Sequence, residues 1–278
     1  GWLRLFTSSA ITINMLRLFI SCLLIAAAVA RTSGCGSSAP RNGKHSFTNQ
    51  GRSREYWLHV PRGYDRSAPS SLVVLFHGWG YSGAEWVNGN GWGAVSAAPM
   101  ADANNFILVA PTGLTDSRFP GNCDQGMGYC AWNGAGVAQS PGPEGPTCNP
   151  ARQRDDLCYS DTCTDGCNDI CNWGPCNDDA TMVHALLDKW EAELCVDKAR
   201  VYAGGESNGA MMTWQMGTDS RAGRFAALAA DIGLPHHGFH FLPAILPMPI
   251  IGIWGSNDRV IPPGDPRTGG FSENAEGG

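Results

Sequence analysis

Hydrophobic and polar positions alternate along the chain in two rhythms. Arg54-Glu55-Tyr56-Trp57-Leu58-His59-Val60 alternates with period two and stops at Pro61, which reads as a strand. Leu72–Phe76 and Phe106–Ala110 are unbroken apolar runs, the mark of strands buried on both faces of a parallel sheet, the second stopped by Pro111. Arg200–Gly204, Phe225–Ile232 and Pro249–Gly255 read as further strands. Between them lie helical patterns. Trp92–Asn104 has helical spacing. Ala180–Leu194 places Met182, Ala185, Leu186 and Leu194 on one face, with Asp178 and Asp179 at its positive start. Met211–Met216 continues a helix opened just before it. Strands alternating with helices predict an α/β fold with a mostly parallel, doubly wound sheet.

Two stretches break the rhythm. Residues 31–52 are rich in Gly, Ser, Arg and Asn and read as a flexible leader to a domain spanning 53–278. Residues 112–177 hold Cys123, Cys130, Cys148, Cys158, Cys163, Cys167, Cys171 and Cys176 among many Gly and Pro. So long a stretch without periodicity fits a compact domain only as a disulfide-stapled surface insertion. From Met15 the sequence reads as a secretory signal: Arg17, an apolar run over Leu18–Ala27, then Ala28-Val29-Ala30 as the cleavage site. Residues 1–14 then lie upstream of the start, and residues 1–30 stand outside the fold. A membrane anchor is the competing reading of that run, but it is short for a span. Removing Cys22 leaves ten cysteines, an even number suited to disulfides in a secreted chain. A zinc cluster over Cys158–Cys176 is the alternative, disfavoured by the lack of close C-x2-C pairs.

Composition narrows the chemistry. Hydrophobic residues make up 43% of the 278 and charged residues 16%, which is globular rather than disordered. The net charge of −6 without a basic block argues against a nucleic-acid partner. No stable membrane association is expected once the signal-like segment is removed, and the expected state is a monomer.

Candidate chemistry centres on Gly205-Glu206-Ser207-Asn208-Gly209, a G-x-S-x-G pentapeptide between a strand and a helix. Such a turn lifts the serine oxygen clear of the sheet and leaves room only for glycine two positions to either side. A serine hydroxyl needs a base, an orienting acid and donors for the oxyanion. His77-Gly78-Trp79-Gly80 follows a buried strand, so the Trp79 and Asn208 backbone amides are the candidate oxyanion hole. His77, Gly78 and Glu206 are candidate pocket residues, although a histidine before glycine at a strand end more often braces its loop. Asp258, in Gly255-Ser256-Asn257-Asp258, lies 51 residues after Ser207 (258 − 207) and is the candidate acid, with Asp231 the weaker competitor. The base has no obvious residue. No histidine follows Asp258, and His236, His237 and His240 precede it. The expectation is a C-terminal part that lies beyond this sequence.

Four segments together resemble the secreted polyhydroxybutyrate depolymerase and feruloyl/acetylxylan esterase group. They are Tyr56–Tyr64, His77–Gly80, Gly205–Met211 and Gly255–Pro262, within residues 50–263. The resemblance implies an α/β-hydrolase fold and hydrolysis of carboxylic esters through an acyl-enzyme. It carries Ser207 as nucleophile and Asp258 as triad acid, and it calls for no metal or organic cofactor. Ala210 departs from the group's usual second glycine, and the catalytic histidine has no counterpart here. Trp79, Trp86, Trp92, Trp132 and Trp173 are candidates to stack on sugar or aromatic groups, with core packing as the plainer reading. A serine peptidase of the same fold, a silent polymer-binding relative and a disulfide-stapled structural protein remain alternatives.

Overall fold

The computed structural model describes residues 31–89, 95–119, 121–126, 128–134, 159–163, 174–233 and 246–258. The two apolar runs form strands as the pattern predicts: β3 is Ser70–Phe76 and β4 is Phe106–Thr112. They join β1 (Gly43–Asn49), β2 (Arg52–His59), β5 (Val196–Glu206), β6 (Ala227–Asp231) and β7 (Ile250–Ile253) in one sheet of order β1-β2-β4-β3-β5-β6-β7. The first two strands pair antiparallel and the remaining pairs are parallel. The carboxyl ends of β4, β3, β5, β6 and β7 therefore emerge along one edge, where open α/β sheets place their ligands.

Helices cover both faces. On one, α1 (Ala84–Asn88) and α2 (Ala98–Asn104) bury Val87 and Ala101 against Leu108 and Ala110. On the other, α3 (Asp179–Glu193) and α4 (Asn208–Thr218) bury Met182, Leu186, Trp190, Met212 and Met216 against Leu72, Val74 and Phe76. Each such side chain contributes about 1.5–3 kcal/mol on removal from water. Asp178 caps α3 by accepting from the Thr181 N–H at 2.9 Å. The next residue, Asp179, forms a buried ion pair with Arg54 at 2.7 Å and also accepts from the Asn133 N–H.

Several boundaries differ from the pattern. Helix α2 starts at Ala98, since Pro99 suits a first turn and nothing N-terminal to it within 95–97 is helical. Strand β4 runs through Pro111, which lies past the last residue paired with β3 and faces Tyr56 of β2. Strand β6 begins at Ala227, because Phe225 closes a 3-10 turn.

Residues 31–52 are not a loose leader. Strand β1 runs through them as the sheet's outer strand, and its half-exposed alternation hides a strand inside polar sequence. Upstream of it, Thr32 Oγ1 donates to the Leu194 carbonyl at 2.6 Å and accepts from the Val196 N–H at 2.9 Å. A disulfide then joins Cys35 to Cys195, immediately before β5. Within the insertion, Cys123–Cys130 and Cys163–Cys176 are disulfides, so the latter two do not serve a zinc site. The signal segment and the remaining cysteines lie outside the described residues. Among those described, no helix is long and apolar enough to cross a membrane. At the sheet's far edge, Ile250, Ile251, Ile253 and Trp254 are exposed.

Candidate active site

Ser207 sits between the end of β5 and the start of α4 with φ 51° and ψ −119°. A non-glycine residue held there carries strain of about 1–3 kcal/mol, sustained only when the surroundings fix it. The surroundings are the two glycines and a carbonyl. A Cβ on Gly205 would lie 2.6 Å from the Gly209 carbonyl group and 2.7 Å from the Phe76 oxygen. A Cβ on Gly209 would lie 2.2 Å from the Phe76 oxygen and 2.6 Å from that of His77. The elbow thus packs backbone on backbone against the end of β3. From the other side, the Ser207 N–H donates to the Asp231 carbonyl at 2.9 Å, and Gly233 approaches so closely that its Cβ would stand 2.2 Å from the Ser207 carbonyl oxygen.

The loop after β3 lies over this turn. A Cβ on Gly78 would meet the Ser207 Cβ at 3.7 Å and a Glu206 carboxyl oxygen at 2.9 Å. His77 is wholly buried beneath the loop rather than lining a pocket. Its Nε2 accepts from the Gly113 N–H at 2.9 Å, so Nδ1 carries the proton and donates to the Gly78 carbonyl at 2.6 Å. Burial holds its pKa down to about 4, so the ring is neutral at physiological pH. The Trp79 ring leaves this loop toward the Cys-rich insertion, where its Nε1–H donates to the Tyr159 hydroxyl at 2.9 Å and the ring meets Tyr129 in a T-shaped contact.

Asn208 opens α4, so its backbone N–H belongs to the first-turn amides without an intrahelical partner. Its side chain is fully buried and doubly tied: Oδ1 accepts from the Trp132 N–H at 2.7 Å and Nδ2 donates to the Trp132 carbonyl at 3.2 Å. Trp132 is itself buried on Phe76 and donates from Nε1 to the His77 carbonyl. It is a core strut joining the elbow to the loop, not a stacking surface. Trp86 is half-buried among the α1 and α2 packing, while Trp92 and Trp173 lie outside the described residues.

No protein-family model matches the chain. A protein of Aspergillus terreus named "Probable feruloyl esterase C" is 26% identical over 243 residues, 86% of this chain and 66% of that protein. Feruloyl esterase C of Emericella nidulans is 27% identical over 84% of this chain and 64% of its own length. The chain thus spans just under two thirds of the length of these two relatives. A solved structure described as native pOPH superposes with a TM-score of 0.50 at 15% identity, over 81% of this chain and 72% of the other. The sheet order, the helices on both faces and the strained serine at the end of β5 decide the architecture. The chain has the α/β-hydrolase fold. In sequence it is similar to the feruloyl esterases just named.

In this fold the residues named from the motifs stand at carboxyl ends of strands along one edge of the sheet: the loop of Gly78 and Trp79 after β3, Ser207 after the adjacent β5, and Asp258 after β7, two positions further on. Asp258 is half-buried in a turn whose N–H donates to the Gly255 carbonyl at 3.1 Å. Asp231 ends β6 between them, in register with Glu206. Four histidines are described, and none is hydrogen-bonded to Ser207. His59 pairs with Asp102 at 2.9 Å on the opposite edge of the sheet, His45 lies on outer strand β1, and His184 pairs from within α3 with Asp219 just after α4. His236, His237 and His240 fall outside the described residues. A cavity of about 440 Å³ lies beyond β4, where Lys44 binds Glu55 and Asp124, and Ser207 is not among its walls.

Sequence reasoning missed Glu85, Ile232 and Gly233. Glu85 lies on α1 and is 1% exposed, against Glu206. Ile232 takes φ 44°, which a β-branched side chain seldom adopts, and its N–H donates to Ile253. Gly233 had a readable signal, a glycine directly after a strand that borders the elbow. Glu85 had none.

Proposed function

We propose that this chain belongs to a secreted serine esterase that hydrolyses carboxylic esters of a polymer, such as a polyester or a feruloylated or acetylated polysaccharide, through an acyl-enzyme. The observation that carries the reading is Ser207 at φ 51° between two glycines that cannot bear a Cβ. A strained, half-buried hydroxyl at a strand-to-helix turn has a ready explanation as a nucleophile and little as a structural serine.

In this reading Ser207 Oγ attacks the ester carbonyl carbon while its proton passes to a histidine oriented by Asp258. The Trp79 and Asn208 amides receive the charge on the carbonyl oxygen. Collapse expels the alcohol, which takes the proton back from the histidine. Water then repeats the sequence on the acyl-enzyme and frees the acid. The histidine is not assigned to a residue here. Secretion is supported by the signal-like segment over residues 15–30 and by the disulfides.

The test is turnover of p-nitrophenyl acetate, p-nitrophenyl butyrate, methyl ferulate and a peptide anilide by the full-length protein. Ester turnover that vanishes in Ser207→Ala, with an acyl adduct on the Ser207 peptide by mass spectrometry, is expected. Anilide turnover exceeding ester turnover would assign a peptidase, and an unlabelled Ser207 without turnover would leave a binding protein.

A further inference from the structure

Two carboxyl groups meet behind the nucleophile. Glu85 extends from α1 and Glu206 from the last position of β5, one residue before Ser207. Glu85 is 1% exposed, and among the described residues neither of its carboxyl oxygens finds an N–H or hydroxyl donor at full hydrogen-bond geometry. What faces it is the Glu206 carboxyl, with the Gly78 N–H directed at it from the loop. Asp231 adds a further negative charge on Glu206. Among the described residues, the charged groups acting on the pair are thus all carboxylates.

An unpaired carboxylate so buried costs several kcal/mol, and two together cost more. A single proton removes the conflict. One carboxyl becomes a donor, the other remains an acceptor, and an otherwise orphaned contact becomes a charge-assisted hydrogen bond. The position gives that bond a task. The Glu206 carboxyl lies so close to Gly78 that a Cβ there would stand 2.9 Å from its oxygen. Helix α1 is equally fixed, since Gly83 at its start is pressed on β4 and a Cβ there would fall 1.9 Å from the Ala110 oxygen.

We propose that Glu85 and Glu206 share one proton, and that this contact is the brace that holds the Gly78–Trp79 amides over Ser207. Both are positioning residues, acting on the oxyanion loop and not on substrate. The activity arm of the proposal rests on the esterase reading above, while its stability arm does not. Burial and the neighbouring Glu206 raise Glu85 from its ordinary 4.5 to about 8, and burial also raises Glu206. The folded state then binds more protons than the unfolded chain between those values. Stability falls as pH rises across that window and levels off above it.

The experiment compares full-length wild type with Glu85→Gln and Glu85→Leu. Thermal midpoints are read from pH 5 to 9, and kcat and KM on p-nitrophenyl acetate over the same range. Wild type should lose about 3 °C per pH unit more than Glu85→Gln between pH 5 and 8. Its kcat should decline above pH 8, and Glu85→Gln, whose amide donates permanently, should lack that decline. Glu85→Leu should lose kcat at every pH by about tenfold to hundredfold with KM little changed. Parallel stability curves for wild type and Glu85→Gln overturn the shared proton, whatever the activity. Should Glu85→Leu fail to fold, the Gln variant still decides. A stability difference accompanied by no ester turnover in wild type would refute the esterase reading and leave the pair standing. A Glu85→Gln pH–kcat profile identical to wild type would refute the brace.

Discussion

Gly209→Ala isolates the packing that creates the elbow. The added Cβ would stand 2.2 Å from the Phe76 oxygen and 2.6 Å from the His77 oxygen. Ordinary van der Waals contact begins near 3.4 Å, so about 1.2 Å must be found. Both obstacles are backbone carbonyls of the strand and loop that carry the oxyanion amides, and no rotamer change relieves them. Either α4 withdraws from β3 or the His77–Gly80 loop lifts. Overpacking of this kind costs about 1–3 kcal/mol in stability. The kinetic cost is larger, because a displacement of about 1 Å between nucleophile and oxyanion donors lowers turnover by roughly 10²-fold. Gly223→Ala is the control, its Cβ meeting only the end of the Leu246 side chain at 3.1 Å, which can swing aside. Urea unfolding and p-nitrophenyl acetate kinetics on the full-length protein measure both costs. Gly209→Ala with wild-type kcat would refute the claim that this backbone contact sets the site.

Three further outcomes follow from the same geometry. Replacing Cys35 and Cys195 by Ser opens a loop of 160 residues, and the loop-closure relation puts the loss near ~5 kcal/mol, read as the drop in denaturation free energy. His77 is neutral and buried, its pKa lowered from 6.5 to about 4. The unfolded chain therefore binds more protons in that window, and stability falls by up to about 3 kcal/mol as pH drops through it, a slope that His77→Gln should flatten in acid titrations. Arg54→Met leaves Asp179 buried without its cation, which should cost about 3–5 kcal/mol in chemical denaturation, partly restored by adding Asp179→Asn.

What the sequence made legible was local. The elbow could be read because its constraints act within five residues, and both glycines prove necessary by contact. Strands β3 and β4 were legible because burial demands unbroken apolar runs. Strand β1 escaped because an outer strand exposes every second residue, and Gly43-Lys44-His45-Ser46 reads as polar linker. Trp132 was ambiguous because its partners, Phe76, His77 and Asn208, are 55 or more residues away in sequence. Glu85 was invisible for a related reason. A glutamate on a short helix reads as solvated surface until the fold brings a second carboxyl to meet it. Asp258 was suggested by its place after a strand, and that strand does lie two positions from β5 in the sheet.

The bond between Cys35 and Cys195 also governs how the molecule answers damage and force. Tension applied on either side of the bridge reaches the strand that leads into Ser207 through sulfur, and the 159 residues between the two cysteines (195 − 35 − 1) carry none of it. More than ~500 Å of potential extension is locked away while the bridge holds. A protease that cuts a loop anywhere in that span makes a nick, not a fragment, since both pieces remain covalently joined at the root of β5.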